Sequence, residues 1–179
     1  MEVIKIDKDC LNLNFGVVYW ITGLSGAGKT TIGKLLFRYL RQKKSNVIFL
    51  DGDILREIFG NDLGYSIEDR RKSAMRNAKI SKMLASQGMD VICCTISMFN
   101  EVRKWNRENI KNYREIYLQV PNEILALRNQ KGLYESALNE LVGFGVNMEE
   151  PKFPDLVVKN DGRKDTEEIL KNIVEVFKL

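Results

Sequence analysis

Histidine is absent from the 179 residues. That removes the side chain that titrates near neutral pH and the commonest metal ligand. Any proton transfer must then use a carboxylate, a lysine or solvent. Cysteine is almost as scarce, with Cys10, Cys93 and Cys94 the whole set. None of them forms a C-x-x-C, and without histidine a zinc site lacks its usual ligands. Cys93 and Cys94 lie in an apolar run and are expected as buried, reduced thiols, which suits the cytosol. No apolar stretch is long enough to span a bilayer, and residues 1–14 are too charged for a signal peptide. A cytoplasmic protein with no membrane partner is therefore expected. Arginine-rich runs and aromatic-plus-basic RNA motifs are missing too, so no nucleic-acid partner is expected. Internal repeats and low-complexity tracts are lacking as well.

What is present suits one domain over 1–179 with a full core. Hydrophobic residues make up 44% and charged residues 29%, ordinary values for a globular chain. The net charge of +4 is mild and would help attract phosphorylated small molecules.

The chain is organised around Gly23-Leu24-Ser25-Gly26-Ala27-Gly28-Lys29-Thr30, which fits the P-loop pattern G-x-x-x-x-G-K-S/T. An apolar run at 17–21 reads as a buried strand before it. After it, Ile32, Leu35, Leu36, Tyr39 and Leu40 recur on one helical face. Strand, glycine loop and helix are the context that gives the motif its meaning. Glycines let backbone N–H groups converge on phosphate oxygens, and the helix start adds positive potential. Gly23, Ser25, Gly26, Ala27, Gly28, Lys29, Thr30 and Thr31 are the expected ATP site. Lys29 should reach the β- and γ-phosphates, with Thr30 on Mg²⁺.

Further buried strands are expected at 47–50, 91–97, 116–120 and 155–158, and a small strand or arm at 3–6. Short helices are expected at 54–59 and 122–127, the latter opened by Pro121. Ser66 with Asp69, and Asp165 with Glu168, read as helix caps. Between the first of these caps and Gly88, Ala74, Ala78, Ser81 and Ala85 form a small-residue packing face. A polar helix is expected at 99–112. The stretch 128–148 has no clean period and reads as a lid. Strands alternating with helices predict an α/β fold: a five-stranded parallel sheet covered on both faces, with the ligand at its C-terminal edge.

A P-loop alone does not name a reaction. The N-K-x-D of a guanine-type GTPase is missing at both 129–132 and 159–162. A motor ATPase carries an acid at the end of the long strand beside the P-loop strand, where this chain has Thr95-Ile96-Ser97. The acids instead end the second strand, at Asp51-Gly52-Asp53. Asp51 could hold a Mg²⁺-bound water. Asp53 would point the opposite way if the strand continued, where it could take a proton from an attacking hydroxyl.

The P-loop, Leu50-Asp51-Gly52-Asp53 with Arg56, Asp62-Leu63-Gly64-Tyr65-Ser66, Glu68-Asp69-Arg70, Ile96-Ser97 with Phe99, and Lys131-Gly132-Leu133-Tyr134 occur in that order. Together they resemble the adenylylsulfate (APS) kinase family over nearly the whole chain. The resemblance implies transfer of the ATP γ-phosphoryl group to the ribose 3′-hydroxyl of a nucleotide acceptor, with Mg²⁺. It implies catalytic roles for Lys29, Asp51, Asp53 and Lys131, and metal binding by Thr30 and Asp51. Arg56 and Arg70 would grip the acceptor's anions, and Tyr65 would stack on its base. Ser73, Ile96, Ser97 and Leu133 would complete the acceptor site with Asp53 and Lys131. Arg128 and Lys131 would close over the phosphates from the lid. A homodimer is a further implication.

The acceptor half departs from the family pattern. Ser73 replaces an asparagine, Met75 replaces an arginine, and Met98 and Asn100 replace a proline and a cation. The block after the lid is reduced to 140–145. Losing a cation that meets an anion costs about 1.5–3 kcal/mol per charged hydrogen bond. These changes imply a nucleoside 5′-diphosphate-like acceptor of lower charge, of which cytidine diphosphoramidate, used by a variant branch in capsule phosphoramidate synthesis, is an example. A kinase of another small alcohol, or a catalytically silent ATP-binding module, are the alternatives.

Overall fold

β1 (Val18–Thr22) is the central strand of a parallel sheet, and alternation of its side chains divides the core in two. The computed structural model describes residues 14–128 and 149–179. β1 lies between β3 (Asp90–Cys94) and β4 (Tyr113–Gln119), with β2 (Val47–Asp51) outside β3 and β5 (Leu156–Lys159) outside β4. Every pairing in this order, β2-β3-β1-β4-β5, is parallel. The expected five-stranded α/β architecture is therefore observed.

Tyr19 and Ile21 face one side, where they pack with Ile32, Leu36 and Leu40 of α1 (Lys29–Lys43) and Ile169 and Ile173 of α6 (Thr166–Phe177). Val18 and Trp20 face the other, against Ala74, Ala78 and Ala85 of α3 (Ile67–Ser86) and Val102 of α4 (Asn100–Asn109). The small-residue face lets α3 lie close on the sheet. Close approach of α1 depends on Gly33, where a Cβ would come within 2.2 Å of Cys94 Sγ. Ser66 accepts from Asp69 N–H to cap α3, and Asp165 and Glu168 form a capping box on α6. Cys93 and Cys94 are buried, as expected.

Several boundaries differ from the sequence reading, among them the polar helix expected at 99–112, which is α4 at Asn100–Asn109. β3 ends at Cys94 instead of 97, because Ser97 N–H turns to the Thr22 hydroxyl rather than to a strand carbonyl. β4 starts earlier, at Tyr113, because pairing with Val18 extends it. α2 (Gly52–Ile58) starts directly after β2, so Asp53 is helical and the strand-alternation argument for it fails. The cause is Asp51, whose carboxylate accepts from Asp53 N–H at 3.0 Å and caps the helix. α5 (Asn122–Leu127) follows Pro121 as expected. Residues 3–6, Cys10 and 129–148 of the expected lid lie outside the described residues. Among the described residues no helix is long and apolar enough to cross a membrane.

Candidate functional site

Parallel strands aim all their C-terminal ends at one edge, and the glycine loop after β1, Asp51 of β2 and the turn bearing Ile96 and Ser97 after β3 lie there. The chain leaves β1 at Thr22, turns through the glycine loop and enters α1 at Lys29. Gly28 stands at the N-cap with φ 89°, a left-handed conformation that favours glycine, and no side chain caps α1. The helix start therefore presents its backbone N–H groups to the loop, as an anion site requires. Ala27 N–H donates to Leu24 O at 3.2 Å, closing the turn. Asn160, just beyond β5, donates to Ala27 O at 2.9 Å and braces the loop from outside. Lys29 Nζ donates to Leu24 O at 2.7 Å, which keeps the ammonium folded over the loop. Gly26, Thr30 and Thr31 are exposed, and Ser25 is half-buried.

In the first turn of α1, Thr30 Oγ1 donates to Asp51 Oδ2 at 2.7 Å. Asp51 is 7% exposed, and its Oδ1 is occupied by the α2 cap. A hydroxyl that donates to a carboxylate keeps lone pairs for a cation. Hydroxyl and carboxylate oxygens are hard donors that fit magnesium, which takes few protein ligands beside phosphates and water. Among the described residues no group of three or more His, Cys, Asp or Glu could hold a metal. Asp53 lies on the first turn of α2, exposed at the same edge.

From α2 and α3, Arg56 and Arg70 converge on Tyr65. Their guanidinium carbons lie 4.6 and 5.3 Å from its ring centroid. Arg56 Nη1 donates to Leu63 O at 2.5 Å and Gly64 O at 3.1 Å, and Arg70 Nε donates to Tyr65 O at 2.8 Å. Two arginines thus hold both the backbone and the ring of this loop. The loop's far end is tied by Arg76, which donates to both Asp62 oxygens at 2.8 and 2.7 Å. That fork holds the Asp62 carboxyl below its usual pKa and the Arg76 guanidinium above its own. Ser73 is half-buried on α3, one turn from Arg70. Ile96 is half-buried, and Ser97 is fully buried in the turn after β3. Arg128 caps α5 with its guanidinium beside Gly162, in the loop that carries Asn160. Lys131 and Leu133 lie outside the described residues.

Sequence reasoning missed Asn160, although a position just past a parallel strand's C-terminal end is a cue. It also missed Asn77, whose Nδ2 donates to Thr95 Oγ1 at 3.2 Å beside the start of α2. Nor did it single out buried Arg103 on α4, 3.5 Å from Glu115 of β4. Burial pushes the Glu115 carboxyl up and the Arg103 guanidinium down, against their mutual attraction. Nothing in the sequence distinguishes Arg103 from a solvated helix charge.

A glycine loop opening into an uncapped helix start, backed by a hydroxyl–carboxylate pair, is the arrangement of a P-loop phosphotransferase. A family profile described as adenylylsulphate kinase matches residues 15–159. A cytidine diphosphoramidate kinase of Campylobacter jejuni subsp. jejuni serotype O:2 is 45% identical over 166 residues, covering 90% of this chain and 96% of that protein. An adenylyl-sulfate kinase of Halothermothrix orenii is 37% identical over 164 residues, covering 89% of this chain and 88% of that protein. Among solved structures, the Mycobacterium tuberculosis APS kinase in complex with AMPPNP and APS superposes with a TM-score of 0.81 at 30% identity. That match covers 92% of this chain and 99% of the other. The chain belongs to the adenylylsulphate kinase family. It is an ATP-dependent kinase with a nucleotide hydroxyl as acceptor.

Proposed function

We infer that the acceptor is a nucleoside 5′-diphosphate-like molecule of the cytidine diphosphoramidate kind, phosphorylated on its ribose 3′-hydroxyl. The observation that carries this reading is Asn100. The family resemblance expects a cation there, yet Asn100 is neutral. Its Oδ1 accepts from Arg103 Nη2 and its N–H donates to Glu149 Oε2, each at 2.5 Å. Met75, a second expected cation, packs against the core around Val18 and Trp20. The acceptor side therefore has Arg56 and Arg70 but lacks two positive charges. The identity to the C. jejuni cytidine diphosphoramidate kinase, 45% against 37% for the H. orenii enzyme, supports the same choice.

In this reading Lys29 leaves Leu24 O for the β- and γ-phosphate oxygens, where loop N–H groups already converge. Thr31 lines the same nucleotide, and Arg128 reaches its phosphates from the end of α5. Thr30 and Asp51 hold Mg²⁺, which supplies positive charge to the phosphoryl oxygens in transfer. Arg56 and Arg70 grip the acceptor's diphosphate-like end, and Tyr65 stacks on its base. Ser73, Ile96 and Ser97 shape the wall of that pocket, with Lys131 and Leu133 closing it. The 3′-oxygen attacks the γ-phosphorus, the bond to the β–γ bridging oxygen breaks, and ADP leaves. Asp53 accepts the hydroxyl proton and returns it to solvent. A homodimer in the cytosol, consistent with the buried reduced thiols, completes the proposal.

ADP release by the purified protein with Mg²⁺-ATP, measured against cytidine diphosphoramidate, CDP and adenylylsulfate, tests it. The highest kcat/KM should belong to cytidine diphosphoramidate. Adenylylsulfate is the second reading, favoured by the APS-bound M. tuberculosis enzyme. Efficient turnover of adenylylsulfate alone would replace the first reading with the second.

A further inference from the structure

α4 begins after Phe99, a residue with no side-chain oxygen to cap a helix. The missing acceptor comes from 49 residues along the chain, where Glu149 Oε2 takes the Asn100 N–H at 2.5 Å. Glu149 uses its backbone on the same segment. Its N–H donates to Met98 O at 3.2 Å, and its carbonyl accepts from Arg103 Nη2 at 2.5 Å. Arg103 reaches back with Nη1 to Ser97 O at 3.1 Å. One guanidinium therefore joins the turn bearing Ile96 and Ser97 to the segment at Glu149 that leads to β5.

Arg103 is only 5% exposed, and Glu115, its counter-ion, is 2% exposed. A buried pair of this kind gains little net stability over an apolar replacement, so its worth lies in the geometry it imposes. Arg107 holds Glu115 from the other side at 2.8 Å and also pairs with Asp155 just before β5. Next to Glu149, Glu150 hydrogen-bonds the Tyr117 hydroxyl of β4. Glu149 is thus fastened on two sides, to the acceptor turn and to the sheet.

We propose that Glu149 and Arg103 are positioning residues for the acceptor: together they latch the 96–99 turn in place and so set the acceptor's KM without touching ATP. This rests on the acceptor site lying at that turn, as in the function proposed above. The turn is built from a fully buried Ser97 and a half-buried Ile96, so small displacements there alter the pocket wall rather than a flexible surface.

The test compares Glu149→Ala, Glu149→Gln and Arg103→Lys with the unaltered protein. Glu149→Ala should raise the acceptor KM about tenfold or more, the effect of losing a charge-assisted hydrogen bond. ATP's KM should stay constant, while the melting temperature should drop by about 2–4 °C, the cost of a lost helix cap. Glutamine keeps an oxygen for the Asn100 N–H, so Glu149→Gln should restore most of the acceptor affinity. Lysine cannot donate to Ser97, Asn100 and Glu149 together, so Arg103→Lys should reproduce the Ala phenotype. Hydrogen exchange over 97–104, measured without nucleotide, should speed up in Glu149→Ala. Unchanged exchange, or both KM values rising together, would overturn the latch. If the unaltered protein turns over no nucleotide acceptor, the proposed function fails, and the exchange measurement alone then decides whether the latch exists.

Discussion

Thr30 and Asp51 stand 21 residues apart in sequence and meet through a 2.7 Å hydrogen bond where α1 begins and β2 ends at the same sheet edge. The same carboxylate caps α2 through Asp53 N–H. Asp51 therefore couples the start of α1 to the start of α2.

Asp51→Asn separates its two tasks. Asparagine is as good an N-cap as aspartate, so the melting temperature should hold. Removing the charge should raise the Mg²⁺ concentration needed for half-maximal turnover and lower kcat by about a hundredfold. Asp51→Ala should add a stability loss of about 1 kcal/mol from the lost cap. A Mg²⁺ titration and a melting curve on each variant check both; normal Mg²⁺ dependence in Asp51→Asn would remove Asp51 from the metal site.

Asp53→Asn should lower kcat by about 10²-fold or more while ATP's KM stays put, the pattern of a missing general base. Steady-state kinetics with saturating acceptor give the answer. A variant with near-normal turnover would mean that solvent takes the proton.

Tyr65→Ala should raise the acceptor KM roughly tenfold or more, as loss of a base-stacking ring does. ATP's KM should barely respond, because the ring of Tyr65 is held by Arg56 and Arg70 of α2 and α3, while the glycine loop is held by Leu24, Lys29 and Asn160. Equal changes in both constants would argue that the ring only supports its loop.

Glu115→Ala leaves Arg103 buried without its counter-ion and should cost about 3–5 kcal/mol in unfolding free energy. Denaturant melts measure it. A loss near zero would mean that the carbonyls of Ser97 and Glu149 suffice to hold the guanidinium.

Burial pushes the Cys93 thiol from 9.0 up to about 12, and Cys94 well above its ordinary value. A raised thiol pKa contributes stability that is fully present below the unfolded value and lost as pH rises through the folded one. For Cys93, stability should therefore fall between pH 9 and about 12, by up to about 1.4 kcal/mol per pH unit, and Cys94 should act in the same direction. Site-resolved alkylation should leave both unmodified in the folded protein at neutral pH and label both in denaturant. Rapid labelling of the native protein would contradict their burial.

Much of this was legible beforehand because it is local. Gly28 and Lys29 declare a phosphate loop, since only a glycine-lined turn before a helix brings N–H groups together. Ser66 with Asp69, and Asp165 with Glu168, mark helix starts within one turn of chain. Asp53 was misplaced because strand alternation was extended across a residue whose own carboxylate starts a helix. Asn160 and Glu149 were invisible because their partners, Ala27 and Asn100, are 133 and 49 residues away.

Periodicity and the glycine loop by themselves determined the parallel sheet, its two helical layers and the seat of a triphosphate. Those features rest on interactions within a few residues, or on the alternation of apolar side chains, and both are written along the chain. Only the tertiary structure decided which polar groups meet at the strand ends: Thr30 with Asp51, Asn160 with the loop, Arg103 with Ser97 and Glu149. Such pairings depend on strand order and helix placement, and no local pattern encodes the distance between two residues that the sheet brings together.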